Sequence, residues 1–143
     1  MDSSAKESVL DEAARQHCGL IEKAAATRWE DVSGVLNLGS AVALHGVLER
    51  AVIYPANTYI SAAVVRHLIA DHERLAEELG CLDELSRLPS PDGSPPAVDD
   101  GGDLRAMSRA VLARLRSHLE HDERVLYRPL VSLSLISAAE SST

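Results

Sequence analysis

Six residues of the types that bind transition metals recur in this 143-residue chain at spacings that suit a shared site. Two of the candidate histidines, His45 and His118, are each followed four residues later by an acid. Residues four apart on a helix lie only about 40° from each other, so each pair directs an imidazole and a carboxylate to one side. A mixed set of imidazoles and carboxylates suits iron or manganese, whereas a structural zinc site more often recruits cysteine. The six candidate ligands are His17, His45, Glu49, His72, His118 and Asp122.

Four amphipathic helices are expected to carry these residues, because apolar side chains recur at spacings of three and four along four stretches. No stretch alternates as a half-buried strand does. Four long helices whose connections are short, except for one, predict an all-α protein with the architecture of an up-and-down four-helix bundle. The stretches run from about residue 9 to 26, 29 to 54, 57 or 58 to 80, and 103 to 130.

Proline, glycine and polar residues mark the expected ends of the second and third helices. Pro55 is expected to stop the second helix, and Asn57 or Thr58 is expected to cap the third. Gly80 is a natural end for the third helix, although a short helical turn could follow in residues 81–88.

A helical projection places each of the four histidines within the apolar stripe of its own helix, so each helix aims one imidazole at the core. The same projection buries Glu49 and Asp122. An isolated ionised carboxylate is costly to bury, so each acid requires a cation, a proton or strong hydrogen bonds. His67 projects towards solvent, and His121 lies at the edge of the inner face, about 60° from His118. We therefore interpret the six groups as metal ligands rather than as separate hydrogen-bonded core residues.

An internal repeat supports this interpretation, because two parts of the chain align without gaps. The two halves are one helix pair used twice, and each half supplies two histidines and one carboxylate. Two such halves facing each other predict a frame for two metal ions bridged by the two carboxylates. The aligned segments are 45–54 with 118–127, and Gln16-His17 with Asp71-His72.

The chain resembles the hemerythrin-like family, also known as HHE cation-binding domains. That family has a histidine on its first helix, an HxxxE motif on its second and one or two histidines on its third. On its fourth helix a histidine is followed by an acid, before an aromatic residue and a proline. The resemblance covers about residues 9 to 130 and implies a four-helix bundle with a non-haem di-iron centre. The matching segments are His17, HGVLERAVIYP, ADHERLAEEL and HLEHDERVLYRPL.

Two departures from the family pattern affect the ligand set that the resemblance implies. Oxygen-carrying members have a second histidine on the third helix, whereas this chain has Leu68 and Ala76 one turn from His72. On the fourth helix the acid is Asp122, and the neighbouring Glu123 lies off the inner face but is long enough to reach a metal. A site with few histidines leaves coordination positions that other groups could fill.

Two tyrosines could fill such a position with a phenolate oxygen. They are Tyr54 and Tyr127, which occupy equivalent places in the internal repeat. The helical projection directs Tyr54 away from His45, but Pro55 ends the helix there and weakens the projection. Tyr54 is therefore retained as a candidate ligand.

Composition limits the classes of partner. Lys plus Arg total 14 against 22 for Asp plus Glu, giving a formal net charge of −8, so a nucleic-acid partner is not expected. We expect no membrane partner, because no apolar run approaches about 18 residues. The polar, acidic start of the chain does not resemble a signal peptide, which favours the cytoplasm.

The whole chain is expected to fold as a single domain, since 45% of its residues are apolar and 25% are charged. Residues 89–102 are rich in proline and glycine and predict an exposed loop, and residues 132–143 are expected to fray. Cys18 and Cys81 form no CxxC pair and are expected to be reduced and off the inner face.

The expected function follows from a di-iron centre, two iron ions, enclosed by small aliphatic side chains. Walls of Ala, Leu and Val exclude water, so the leading hypothesis is binding of dioxygen or nitric oxide for sensing or scavenging. Redox turnover of peroxide or nitric oxide, as in a catalase-like or peroxidase-like enzyme, is one alternative. Iron storage, or a purely structural metal, is another. The oligomeric state stays open.

Overall fold

Four long helices form the described part of the protein, which in this computed structural model comprises residues 3–57, 60–88 and 102–130. No strand occurs within these ranges, so the predicted all-α class is confirmed. The helices are Ser3–Ala26, Val32–Leu48, Ala62–Arg87 and Gly102–Asp122, called the first to fourth helix below.

Two of the helices continue into wider turns. The second helix passes into a π-helical segment, Glu49–Ile53, and ends with one α-helical turn, Tyr54–Ala56. The fourth helix passes into a π-helical segment, Glu123–Tyr127. A π-helical turn joins residues five apart rather than four, so it accommodates an extra residue and rotates the residues that follow. The second helix ends one residue after Pro55, the residue predicted to stop it.

Side-chain caps begin the second and third helices. Asp31 accepts a hydrogen bond of 3.0 Å from the backbone N–H three residues later. The Ser61 hydroxyl accepts one of 3.2 Å from the Val64 backbone N–H. The predicted cap at Asn57 or Thr58 is therefore wrong. The third helix begins after Ser61, and the Ser61 side chain accepts from one of the backbone N–H groups that have no partner within the helix.

The third helix also extends beyond its predicted end. It continues through Gly80 to Arg87 without a break. A glycine inside a helix costs only about 1 kcal/mol relative to alanine. Beyond the glycine, Leu82 is fully buried and Leu85 packs against the core. Burial of these side chains offsets the cost of the glycine.

The helices pack so that each contacts at least two others. The first and third helices each contact the second and the fourth, and the second also contacts the fourth. This pattern is compatible with an up-and-down bundle. Among the residues that the structure describes, buried apolar side chains form two clusters. The larger consists of Leu20, Ala24, Val35, Leu38, Val42, Leu75, Leu82, Leu104, Val111, Leu112, Leu115 and Leu119. The smaller consists of Ala13, Ile53, Tyr54, Leu68, Leu126 and Tyr127.

A polar layer separates the two apolar clusters. On the first helix, His17 stands between Ala13 of the smaller cluster and Leu20 of the larger one. Each of the other three helices also places a histidine between members of the two clusters. Apolar side chains therefore enclose the layer on both sides. The layer consists of His17, His45, Glu49, His72, His118 and Asp122.

Within the described residues one stretch, Val32–Ala56, is long and apolar enough to cross a membrane, with a mean hydropathy of 1.3. The expectation that no stretch would reach this length is therefore wrong by this measure. One such stretch is weak support for a membrane, because the core helix of a soluble protein meets the same criterion. This one carries two buried polar residues of the layer, His45 and Glu49.

Two predicted segments lie outside the described residues. They are the exposed loop at 89–102, of which only Gly102 is described, at the start of the fourth helix, and the frayed tail at 132–143.

Candidate metal centre

The polar layer consists of two compact groups of three side chains, one from each half of the internal repeat. Within each group, one potential ligand atom from each residue lies within 4.8 Å of the others. Both acids are buried, with 1% and 0% of their surface exposed, as the helical projection predicts. Each group could hold a metal ion. We call them the first-half cluster, His17, His45 and Glu49, and the second-half cluster, His72, His118 and Asp122.

Buried polar atoms without a hydrogen-bond partner converge on this centre. Leaving such an atom unpaired costs about 1–3 kcal/mol, more if it is charged, so native proteins rarely tolerate several together. In the described part of the chain every such side-chain atom belongs to a residue that the sequence analysis selected. The atoms are His17 Nδ1, Glu49 Oε2, Tyr54 hydroxyl, His72 Nε2, His118 Nε2, Asp122 Oδ1 and Oδ2, and Glu123 Oε2. Bound cations would satisfy these atoms together.

Each imidazole has one ring nitrogen on the side of the cluster, here called the inner nitrogen, and one on the far side, called the outer nitrogen. In three of the histidines the outer nitrogen contacts an oxygen acceptor. His17 Nε2–H donates to the Leu119 carbonyl at 2.9 Å. His118 Nδ1–H donates to Asp71 Oδ2 at 2.6 Å. His45 Nδ1 lies 3.4 Å from the side-chain oxygen of Gln16. Because these oxygens only accept hydrogen bonds, the outer nitrogen carries the proton and the inner nitrogen keeps its lone pair. Histidines that bind metals are oriented in this way.

In the second-half cluster the inner nitrogen of His118 faces a carboxylate oxygen of Asp122. His118 Nε2 lies 3.0 Å from Asp122 Oδ2, and neither atom has a hydrogen-bond partner. With the proton of the neutral ring on Nδ1, two acceptor atoms face each other. Only a second proton or a metal cation between them makes this arrangement favourable. The donor set therefore fits a bound cation.

Burial and neighbouring charges shift the pKa values of the histidines. Burial, followed by the nearby His17, lowers the pKa of His45 to about 4. Burial also lowers the pKa of His17 and of His72. Burial alone acts to lower the pKa of His118 as well, but the two carboxylates beside it outweigh burial and raise that pKa. Three of the imidazoles are therefore neutral, whereas that of His118 is readily protonated.

The two buried acids are shifted in opposite directions. Burial, reinforced by the Asp122 charge, raises the pKa of Glu49 far above its usual range. Burial also acts to raise the pKa of Asp122, but the neighbouring His118 outweighs it and lowers that pKa. Without metal, Glu49 therefore carries a proton and Asp122 is ionised.

Both tyrosines of the repeat face the centre. The Tyr127 hydroxyl donates to His45 Nε2 at 2.6 Å, and its ring stacks on His17 with centroids 4.2 Å apart. Tyr54 is buried with an unpartnered hydroxyl, and burial, followed by the nearby carboxyl group of Glu49, raises its pKa. The projection that turned Tyr54 away from His45 does not hold, because the π-helical segment between them adds a residue to the turn. One added residue shifts the residues after it by about 100°.

The remaining candidates lie at the margin of the centre or outside it. Glu123 is half-buried, and its Oε2 lies 3.6 Å from His17 Nε2, but Glu123 belongs to neither cluster. His67 is exposed, as predicted, and the half-buried His121 lies outside both clusters. Both cysteines are free and exposed, as expected for residues off the inner face.

Three contacts of the histidine rings were not predicted from the sequence, those with Gln16, Asp71 and Tyr127. Gln16 and Asp71 were noted only as aligned residues of the repeat, and Tyr127 only as an alternative phenolate. The signal that could have found Asp71 and Gln16 is their position directly before a predicted ligand in each half. Which histidine each of them contacts was not predictable, because that depends on how neighbouring helices face each other.

An apolar groove of about 680 Å³ lies between the first and second helices and reaches the centre. His45 is among its lining residues, with the exposed Leu44 and Val47 nearer to solvent. Gly19 also lines the groove, and a side chain there would meet no atom within 4 Å. A small molecule thus has an open apolar approach to one histidine of the first-half cluster.

The second helix approaches His72 closely at a glycine. A Cβ atom at Gly46 would lie 2.7 Å from His72 Cε1 and 2.9 Å from its Nδ1. Contacts this short do not occur, so the ring of His72 occupies space that any larger residue would fill. Because Gly46 has no side chain, the imidazole of His72 has room for its position in the second-half cluster.

Replacing Gly46 by Ala is expected to displace His72 and to halve the metal content. Gly19→Ala is the matched control, because that position also lies inside a helix but is open. Both changes remove a helical glycine, which by itself stabilises by up to about 1 kcal/mol. The measurements are metal per chain and thermal unfolding of both variants. Equal metal content in Gly46→Ala and Gly19→Ala would show that the position of His72 is not critical.

Comparison with protein-family models, with curated proteins and with solved structures gives no significant match.

Proposed function

We propose that the chain forms an up-and-down four-helix bundle that binds two iron ions in its polar layer and uses them to bind dioxygen or nitric oxide. The observation that carries the proposal is the convergence of buried, unpartnered nitrogen and oxygen atoms on the two clusters. A purely structural core would have neutralised or removed such groups, because leaving them unpaired is costly.

The donor set favours iron over a structural zinc. Each cluster offers two imidazoles and one carboxylate, and neither cysteine belongs to a cluster. His17, His45 and Glu49 would hold one ion, and His72, His118 and Asp122 the other. Glu49 and Asp122 alter each other's pKa, so their carboxylates are close enough to be candidate bridges between the ions. Iron bound there would supply a redox-active centre that takes a small ligand at an open position.

The surroundings of the clusters favour a small uncharged ligand. Apolar clusters enclose the polar layer on both sides, and the groove that reaches His45 is lined mainly by apolar side chains. Charged molecules would lose their hydration there without compensation, whereas dioxygen and nitric oxide lose little. These features support sensing or scavenging of a diatomic gas.

Redox turnover of peroxide or nitric oxide is the second candidate function. It is favoured by two buried hydroxyl groups beside the centre, those of Tyr54 and Tyr127, which could donate hydrogen bonds to a peroxide. A centre that only binds gas reversibly has less use for such donors.

The first test is elemental analysis of the purified protein after anaerobic loading with ferrous iron. We expect about two irons per chain. Addition of nitric oxide to the reduced protein, and of peroxide to the oxidised protein, should then change the visible spectrum. A single bound zinc, or no bound metal, would contradict the proposal. Two irons without any response to either reagent would favour iron storage.

A further inference from the structure

Two residues at equivalent positions of the internal repeat contact the outer nitrogens of histidines. Asp71 precedes His72 in the sequence and contacts His118, with 2.6 Å between Oδ2 and Nδ1. Gln16 precedes His17, and its side-chain oxygen lies 3.4 Å from the corresponding nitrogen of His45. In each half, the residue before one histidine therefore supports the other histidine of the same cluster.

The two supports differ in chemistry. The carboxylate of Asp71 is charged and its contact is short, whereas the amide of Gln16 is neutral and its contact is long. Charge-assisted hydrogen bonds are roughly twice as strong as neutral ones. A carboxylate on the outer nitrogen also fixes the ring and makes the inner nitrogen a better donor to a metal. The imidazole of His118 is therefore better prepared for a metal than that of His45.

The inner nitrogens show the same difference independently. His118 Nε2 lies 3.0 Å from Asp122 Oδ2, an atom of a fellow candidate ligand in the same cluster. His45 Nε2 accepts a hydrogen bond of 2.6 Å from the Tyr127 hydroxyl, which must move or lose its proton before a metal can take that place. Metal binding to the first-half cluster thus has to displace the Tyr127 hydroxyl from His45, whereas at His118 it has to displace only a proton.

We propose that the two clusters bind metal with unequal affinity, that the second-half cluster fills first, and that Asp71 is the positioning residue responsible. This inference rests on the proposed function, because it assumes that both clusters hold metal. Beyond the proposed function, the order in which the two clusters load and the role of Asp71 in that order are new. The near-symmetry of the repeat would otherwise predict two equal sites.

The test is a titration of the metal-free protein with cobalt(II), followed by the visible absorption of the bound ion. We expect two steps whose affinities differ by at least about tenfold. In Asp71→Asn the tighter step should weaken by about 10- to 100-fold, so that the steps merge. Asp83→Asn, a change of the same kind on the same helix at a half-buried aspartate that pairs with Arg87 instead of a histidine, is the matched control.

A reciprocal variant keeps the test decisive if Asp71→Asn folds poorly. Gln16→Glu places a carboxylate beside His45, and it should strengthen the weaker step while leaving the tighter one unchanged. A purely structural role for Asp71 predicts no effect of Gln16→Glu on cobalt binding. Two equal steps in the wild type, or a tighter step unchanged by Asp71→Asn, would overturn this inference alone. Failure to bind any cobalt or iron would overturn the proposed function with it.

Discussion

Replacing Glu49 by Gln is expected to remove metal from the centre while stabilising the metal-free protein. In the metal-free state Glu49 is buried beside Asp122 and must carry a proton at neutral pH. A glutamine of the same shape carries no ionisable group, and its N–H can donate to Asp122. We expect the free energy of unfolding of the metal-free variant to rise by about 1–3 kcal/mol at pH 7. Loss of a carboxylate ligand should lower the metal content from two ions to one or none.

The two effects, a more stable metal-free protein and a lower metal content, have opposite signs, and this combination is the informative result. Chemical unfolding of metal-free and metal-loaded protein, together with metal analysis, measures both. Glu120→Gln is the control, because Glu120 is exposed on the fourth helix and should change neither quantity. If Glu49→Gln kept two metal ions per chain, Glu49 would not be a ligand. If it destabilised the metal-free protein, the assignment of a proton to Glu49 would be wrong.

As pH rises, the stability of the metal-free protein is expected to fall, whereas its affinity for metal is expected to rise. The pKa of Glu49 is raised in the folded metal-free protein, so its contribution to stability is present at low pH and is lost as pH rises. Each proton held only by the folded state costs about 1.4 kcal/mol per pH unit. His118, whose pKa is also raised, acts in the same direction. Metal binding displaces both protons, so affinity should rise by about tenfold per pH unit for each proton released.

Denaturant unfolding between pH 7 and 8.5 tests this expectation. In that range His17, His45 and His72, whose pKa values are lowered, are neutral in the folded protein and do not contribute. The metal-free protein should lose stability as pH rises, and competition with a chelator should show metal binding becoming tighter. Glu49→Gln should flatten the metal-free slope. A metal-free protein whose stability rises over this range would contradict the assigned protonation states.

Much of the candidate centre could be predicted from periodicity alone. The apolar stripes around His17, His45, His72 and His118 are long and regular, so a rotation of about 100° per residue directed these side chains inward correctly. The repeat then predicted how the six residues divide into two clusters. All six lie in the polar layer, whereas the exposed His67 does not. Whether they bind iron stays a prediction.

The details that escaped prediction depend on departures from regular helix geometry or on contacts between helices. Tyr54 was projected outward because no rule applied to the sequence indicated a π-helical turn after Glu49. Gly80 was expected to end the third helix, since its local preference was weighed without the burial of Leu82 beyond it. Asp71 contacts His118 on another helix, a pairing that only the packed structure reveals.

The polar layer also has a consequence for how the helices align along their axes. In a core made only of Ala, Leu and Val, one helix could slide past its neighbours by a turn, about 5.4 Å, and meet similar side chains. In this protein such a slide of the third helix would bring Leu75 to the level of the carboxylates and carry His72 into an apolar cluster. Both moves would strand polar atoms without partners. The layer is therefore expected to select one vertical register for the four helices.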